Sequence, residues 1–212
     1  MVPVPRLGPY ELNARIHLSA SAEVFEATHV ETGQKVSIKR LLPHALEDRE
    51  LSDHFRNEVR LALRSRHPGL VRGLEVVEAP SPEGASGELC LVMEFIEGRP
   101  LSDILEGAQG APAPSPVLVH VAYTLASILE GLHTRSEEPL VHGDISAKNI
   151  MVGDEGQLSV VDLGSLVAAG ALSRDAGTPR YVAPERAHRS APMTPAVDMY
   201  GIGVCVPAMD LE

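Results

Sequence analysis

The chain has 212 residues, 44% of them apolar, with 18 Lys and Arg against 29 Asp and Glu and a net charge of −11. That length suits one large domain or two small lobes burying roughly 70% of the unfolded surface, and the acidic balance argues against a nucleic-acid partner, which needs a basic face. Cys90 and Cys205 lack ligand spacing, the N-terminus MVPVPRLGPYEL lacks a basic-then-apolar leader, and no uncharged apolar run reaches the ~18 residues of a membrane span, so a reduced, cytoplasmic protein with no membrane segment is expected.

In chain order, Val24, Val36 and Ile38 are β-formers on either side of Glu31-Thr32-Gly33, which predicts two strands and a turn across residues 21–40. Leu51, Phe55, Val59, Ala62 and Leu63 recur at helical spacing. Residues 79–87 and 107–116 are rich in Pro and Gly and read as loops, because Pro removes a donor and fixes φ. Between them Glu88 to Ile96 reads as an apolar strand. Leu118, Val121, Ala122, Leu125, Ile128, Leu129 and Leu132 then form a helical stripe, followed by short strands around 149–152 and 158–161. A β-rich stretch with one helix followed by a mostly helical one predicts an α+β fold with two unequal lobes.

Three strings carry chemistry. The first is Val141-His142-Gly143-Asp144-Ile145-Ser146-Ala147-Lys148-Asn149-Ile150-Met151; the second is Val160-Val161-Asp162-Leu163-Gly164, its Asp 13 residues after Asn149. The third is Gly177-Thr178-Pro179-Arg180-Tyr181-Val182-Ala183-Pro184-Glu185. A lone Asp or Asn in a loop is ordinarily a turn or cap residue; all three strings in this order are another matter. They resemble the catalytic loop, the DFG segment and the APE segment of the eukaryotic-type protein kinase family, and most of all its bacterial serine/threonine kinases. The resemblance implies a partial kinase domain over 1–212, with a β-rich N-lobe at 10–95 and an incomplete, mostly helical C-lobe at 96–212.

It also implies an activity: transfer of the γ-phosphoryl group of ATP to a Ser or Thr hydroxyl of a protein, with Mg²⁺ or alternatively Mn²⁺. Such transfer needs in-line positioning and neutralised phosphate charge, with little covalent work by the protein. In that scheme Asp144 orients the hydroxyl and takes its proton, Asn149 and Asp162 are hard oxygen ligands for the metal, and Lys148 reaches toward the γ-phosphate. Val36-Ser37-Ile38-Lys39 matches the strand whose Lys holds the α- and β-phosphates, with Glu58 as its partner on the first long helix. Leu91 to Ile96 matches the hinge, with Met93 as gatekeeper and the backbone of Glu94 and Ile96 facing adenine. Val24, Ser37 and Met151 would sandwich the ring.

The match departs from the family in three places. His17, Ser19 and Ala22 stand at the positions of the glycine-rich loop, and side chains remove the freedom that lets backbone approach phosphate. The loop is therefore expected to close poorly. Gly143 replaces the Arg that reads activation-loop phosphate, so phosphorylation at Ser165, Ser173 or Thr178 loses its main reader. Ser146 stands where serine/threonine kinases carry Lys, which leaves a Ser/Thr or a Tyr acceptor open.

Two rival functions follow. The missing glycines suit a pseudokinase or nucleotide-binding scaffold, whereas intact Lys39, Glu58, Asp144, Asn149 and Asp162 oppose it. His-Gly-Asp with Asn five residues on is also how aminoglycoside and choline kinases write their loop. The segments Gly177–Glu185 and Asp198-Met199-Tyr200-Gly201-Ile202-Gly203, the start of the family's F helix, oppose that. The resemblance assigns Asp198 to anchoring the catalytic-loop backbone. Because the sequence ends soon after it, the chain is expected to be a truncated, weakly stable domain. Glu185 would lack its Arg partner, and the 118–132 stripe and the Ile202–Val206 run would be short of cover.

Overall fold

A computed structural model describes residues 5–64, 67–79, 88–134, 139–172, 177–187 and 191–209. Most of the Pro-rich stretch 79–87 and Ser173 lie outside these residues. The chain divides into two compact units, Met1–Ser65 with Val71–Phe95, and Arg66–Leu70 with Ile96–Glu212.

The first unit is built on a six-stranded antiparallel sheet. Its strands are β1 (Arg6–Leu7), β2 (Tyr10–Leu18), β3 (Ala22–His29), β4 (Lys35–Leu41), β5 (Gly73–Ala79) and β6 (Glu88–Glu94), in spatial order β1-β2-β3-β4-β6-β5. The turn after β3 closes as expected, with Gly33 N–H donating to His29 O at 2.9 Å. Strand alternation sends Val36 and Ile38 into a core with Leu7, Tyr10, Ala27, Ala79, Cys90 and Val92. Ser37 and Lys39 therefore take the other face. The helix α2 (Arg49–Arg64) starts where the Asp48 carboxylate accepts the N–H groups of Glu50 (2.9 Å) and Leu51 (3.2 Å). It buries Phe55, Val59 and Ala62 of the face its periodicity marks, together with Leu61, while Leu51 and Leu63 are half-buried.

The second unit is mostly helical. It contains β7 (Arg99–Pro100), α3 (Leu101–Ala108), α4 (Ser115–His133), β8 (Leu140–Val141), β9 (Ile150–Val152), β10 (Leu158–Val160), β11 (Val167–Ala168) and α5 (Pro195–Cys205). The stripe on α4 buries Val121, Leu125, Ile128, Leu129 and Leu132, and on α5 Ile202 and Cys205 are buried. Leu118, Ala122, Val204 and Val206 stay half-buried, so only part of the two runs is fully covered. By length and composition alone α4 could cross a membrane, with a mean hydropathy of 1.3 over its window; its stripe is nonetheless packed inside this unit.

Several expected boundaries shift. The stretch 107–116 is not all loop: Gly107 and Ala108 close α3, and Ser115 and Pro116 open α4, where a first-turn Pro gives up no helical donor. The strand from Glu88 stops at Glu94, and Asn149 ends a 3₁₀ turn, Ala147–Asn149, rather than starting a strand. The elements beyond the sequence expectation include β2, β5, α3, the short helix α1 (Pro43–Glu47) and the two-residue strands β1, β7, β8 and β11. Strand β2 escapes periodicity because register irregularities at Leu12/Ala14 and Arg15/His17 break its alternation.

Candidate active site

In the first unit, the sheet register places Val24 opposite Lys39, and Lys39 opposite Leu91; Ser37 stands opposite Met93. Directly opposed residues share a face, so Val24, Ser37, Lys39 and Met93 lie together. His17 pairs with Val24 and joins the same row. Lys39 Nζ donates to Glu58 Oε1 at 2.7 Å, with side chains only 12% and 4% exposed. Desolvating two charges opposes folding, so such a pair is weak evidence for stability; it fixes where the ammonium sits. Glu94 N–H is committed to Arg72 O at 3.0 Å, and its carboxylate accepts Arg72 N–H at 2.8 Å. Ile96, Met151 and Asp162 belong to the second unit.

There, residues 142–149 run between β8 and β9. Strand β8 pairs with β11, and Val161 N–H donates to Asn149 O at 2.9 Å, so Asp162 follows directly on a residue tied to Asn149. The loop is pinned from beneath by Asp198 on α5, which is fully buried. Its carboxylate accepts His142 N–H and Gly143 N–H, each at 2.8 Å, and His133 Nε2 at 2.8 Å. The His142 ring is buried too. Its Nδ1 lies 3.4 Å from Asp144 N–H as the acceptor, and its Nε2 has no hydrogen-bond partner among the described residues.

Three groups hold the Asp144 side chain. Thr178 N–H donates to Oδ1 at 2.7 Å, Asn149 Nδ2 donates to Oδ2 at 2.9 Å, and Lys148 Nζ stands 3.6 Å from Oδ2 as an ion pair. A carboxylate has about four acceptor positions, so room remains for an incoming hydroxyl. Lys148, half exposed, is thus tied to Asp144 rather than extended away from it. Because Asn149 Nδ2 also donates to Asp144 O at 2.9 Å, its Oδ1 is the atom able to accept a cation. Asp162 has φ 62° and ψ 81°, a left-handed backbone costing of order 1–3 kcal/mol for such a residue. Its Oδ1 accepts Gly164 N–H at 3.3 Å. An amide oxygen and a carboxylate fit Mg²⁺, which is bound by few protein oxygens and completed by water and phosphate.

Sequence reasoning missed several participants. His133 carries no motif; only the fold brings it to Asp198, 65 residues on. Thr178, expected as a phosphorylation site, holds Asp144 through its backbone N–H. Gly143 has φ +81°, and a Cβ there would sit 2.6 Å from Met193 Cε and 3.0 Å from Ser165 O. Gly201 lets α5 approach the loop, since a Cβ there would lie 2.6 Å from Ile145 O. Glu185 is exposed, so its carboxylate stays solvated.

A family model described as "Protein kinase domain" matches residues 10–211. A probable serine/threonine-protein kinase of Corynebacterium efficiens is 31% identical over 204 residues, covering 93% of this chain and 30% of the relative. Serine/threonine-protein kinase PknA of Mycobacterium tuberculosis is 29% identical over 202 residues, covering 93% and 45%. PknA of Corynebacterium glutamicum is 31% identical over 201 residues, covering 92% and 41%. The chain thus spans less than half the length of these curated relatives. With the domain match running almost from end to end of the sequence, the chain belongs to the protein kinase domain family.

Proposed function

We propose that this chain binds ATP with Mg²⁺ and transfers the γ-phosphoryl group to a Ser or Thr hydroxyl of a protein. One observation carries the reading: the Asp144 carboxylate is oriented by Asn149, Lys148 and Thr178 on a loop whose backbone is clamped by buried Asp198. The substrate hydroxyl oxygen attacks the γ-phosphorus, the bond to the β,γ-bridging oxygen breaks, ADP leaves, and the hydroxyl proton goes to Asp144. Lys39, fixed by Glu58, supplies positive charge for the α- and β-phosphates. Asn149 Oδ1 and Asp162 would hold Mg²⁺, which neutralises phosphate charge when bound. The names of the relatives support a Ser/Thr acceptor. Incubation with labelled ATP and separate Ser-, Thr- and Tyr-containing peptides tests this. Label should enter Ser or Thr and vanish in Asp144→Asn; Tyr-only labelling, or an active Asp144→Asn, would overturn it.

A nucleotide-binding scaffold without turnover is a second reading, favoured by the turn 19–22. There Ser19 Oγ accepts the N–H groups of Ser21 (3.4 Å) and Ala22 (3.0 Å), which removes them from any phosphate. ATP binding by calorimetry with no label transfer would favour it.

A further inference from the structure

We infer that His44, outside every motif in the sequence, is a positioning residue that latches the turn standing in for the glycine-rich loop; the inference rests on the kinase reading. The turn is a closed structure. Ser19 N–H donates to Ala22 O at 2.8 Å, and Ser19 Oγ bridges Ala22 N–H and Ala22 O, each at 3.0 Å. Two further bonds come from outside it. Leu42 N–H donates to Ser21 O at 2.8 Å, and His44 Nε2 lies 2.8 Å from Ala20 O. A carbonyl oxygen only accepts, so Nε2 carries the hydrogen and donates.

The latch returns to the phosphate-binding lysine by two routes. Helix α1 follows β4 directly, so His44 sits five residues beyond Lys39 on the same continuous segment. Ser52 Oγ of α2 donates to Leu46 O at 3.1 Å, which joins α1 to the helix that carries Glu58. Turn, α1, α2, Glu58, Lys39 and β4 thus form a closed circuit. Glycines would make this turn a mobile flap ordered by its ligand. Here side chains hold it in one shape beforehand. With the Ser21 and Ala22 N–H groups used inside the turn, what the latch fixes is the placement of the row His17, Val24 and Lys39 beside it, and a preformed site avoids the ordering cost on binding. His44 thereby compensates for the glycines that His17, Ser19 and Ala22 replace.

The test uses the full 212-residue chain with His44→Ala and His44→Gln. Amide hydrogen exchange at Ser19 and Ala22 and the KM for MgATP against kcat are the readouts. His44→Ala should speed exchange at both amides and raise KM about two- to tenfold, the span one net hydrogen bond supports, with kcat changed less than twofold. His44→Gln, whose amide N–H can reach the same carbonyl, should restore both. Unchanged exchange in His44→Ala, faster exchange without a KM change, or a His44→Gln no better than His44→Ala would each overturn the latch. If the unsubstituted chain shows no turnover, the phosphotransfer reading fails, and exchange together with affinity for a non-hydrolysable ATP analogue still decides the latch.

Discussion

Restoring what the family usually has at residue 143 should harm this protein. The backbone at Gly143 has φ +81°, and a Cβ in left-handed backbone costs roughly 1–2 kcal/mol. The same Cβ would press on Met193 Cε at 2.6 Å and on Ser165 O at 3.0 Å. Met193 is 1% exposed and packed with Val141, Ala183 and Val197, so its methyl has little space to retreat into. Overpacking of this kind costs typically about 1–3 kcal/mol. Gly143→Ala should therefore lose about 2–5 kcal/mol of the ~5–15 that a domain has. In a chain of this size that is a fall in Tm of roughly 4–20 °C. Gly143→Arg should lose at least as much and gain no dependence on phosphorylation. Thermal unfolding followed by circular dichroism measures both, with Ala isolating the steric effect from any new charge. A Gly143→Ala variant melting within 2 °C of the parent would refute the reasoning.

Four further outcomes are expected. Asp162→Asn removes an anionic ligand, so peptide phosphorylation should drop by orders of magnitude while adenine-dependent affinity falls modestly; unchanged turnover would remove Asp162 from the mechanism. Changing Ser165, Ser173 and Thr178 together to Ala should leave the rate within a few-fold, because Gly143 offers no cation and Thr178 holds Asp144 through its backbone; a hundredfold loss would show that another cation reads phosphate. Asp198→Ala strands the N–H groups of His142 and Gly143, and breaking such a buried network should cost about 3–5 kcal/mol in urea unfolding. An unshifted midpoint would deny the clamp. Burial pushes the Cys90 thiol up to about 11 and the Cys205 thiol up to about 12, from the usual 9.0. Below pH 9 the thiols are protonated folded or unfolded, so their contribution is intact. As pH climbs from 9 toward 11–12 the unfolded thiols ionise first and stability falls. Urea midpoints from pH 8 to 11 should show this, and Cys90→Ala with Cys205→Ala should flatten the decline; an identical slope in the double variant would contradict it.

The sequence by itself determined what depends on nearby residues. The stripe on α4, the hairpin of β3 and β4, and the buried face of α2 were legible because apolar spacing within one window decides which side meets the core. Asp144, Lys148 and Asn149 were legible because their spacing is local. What only the tertiary structure decided is set by approach between distant segments. Thr178 reaches Asp144 across 34 residues, Asp198 reaches His142 across 56, and His133 reaches Asp198 across 65. No local pattern encodes these contacts, since each joins segments far apart in the chain. Gly143 looked like a lost arginine in the string and is a conformational requirement in the fold. His44 belongs to no motif in the string, and only the return of the chain from β4 into α1 brings its ring to Ala20 O.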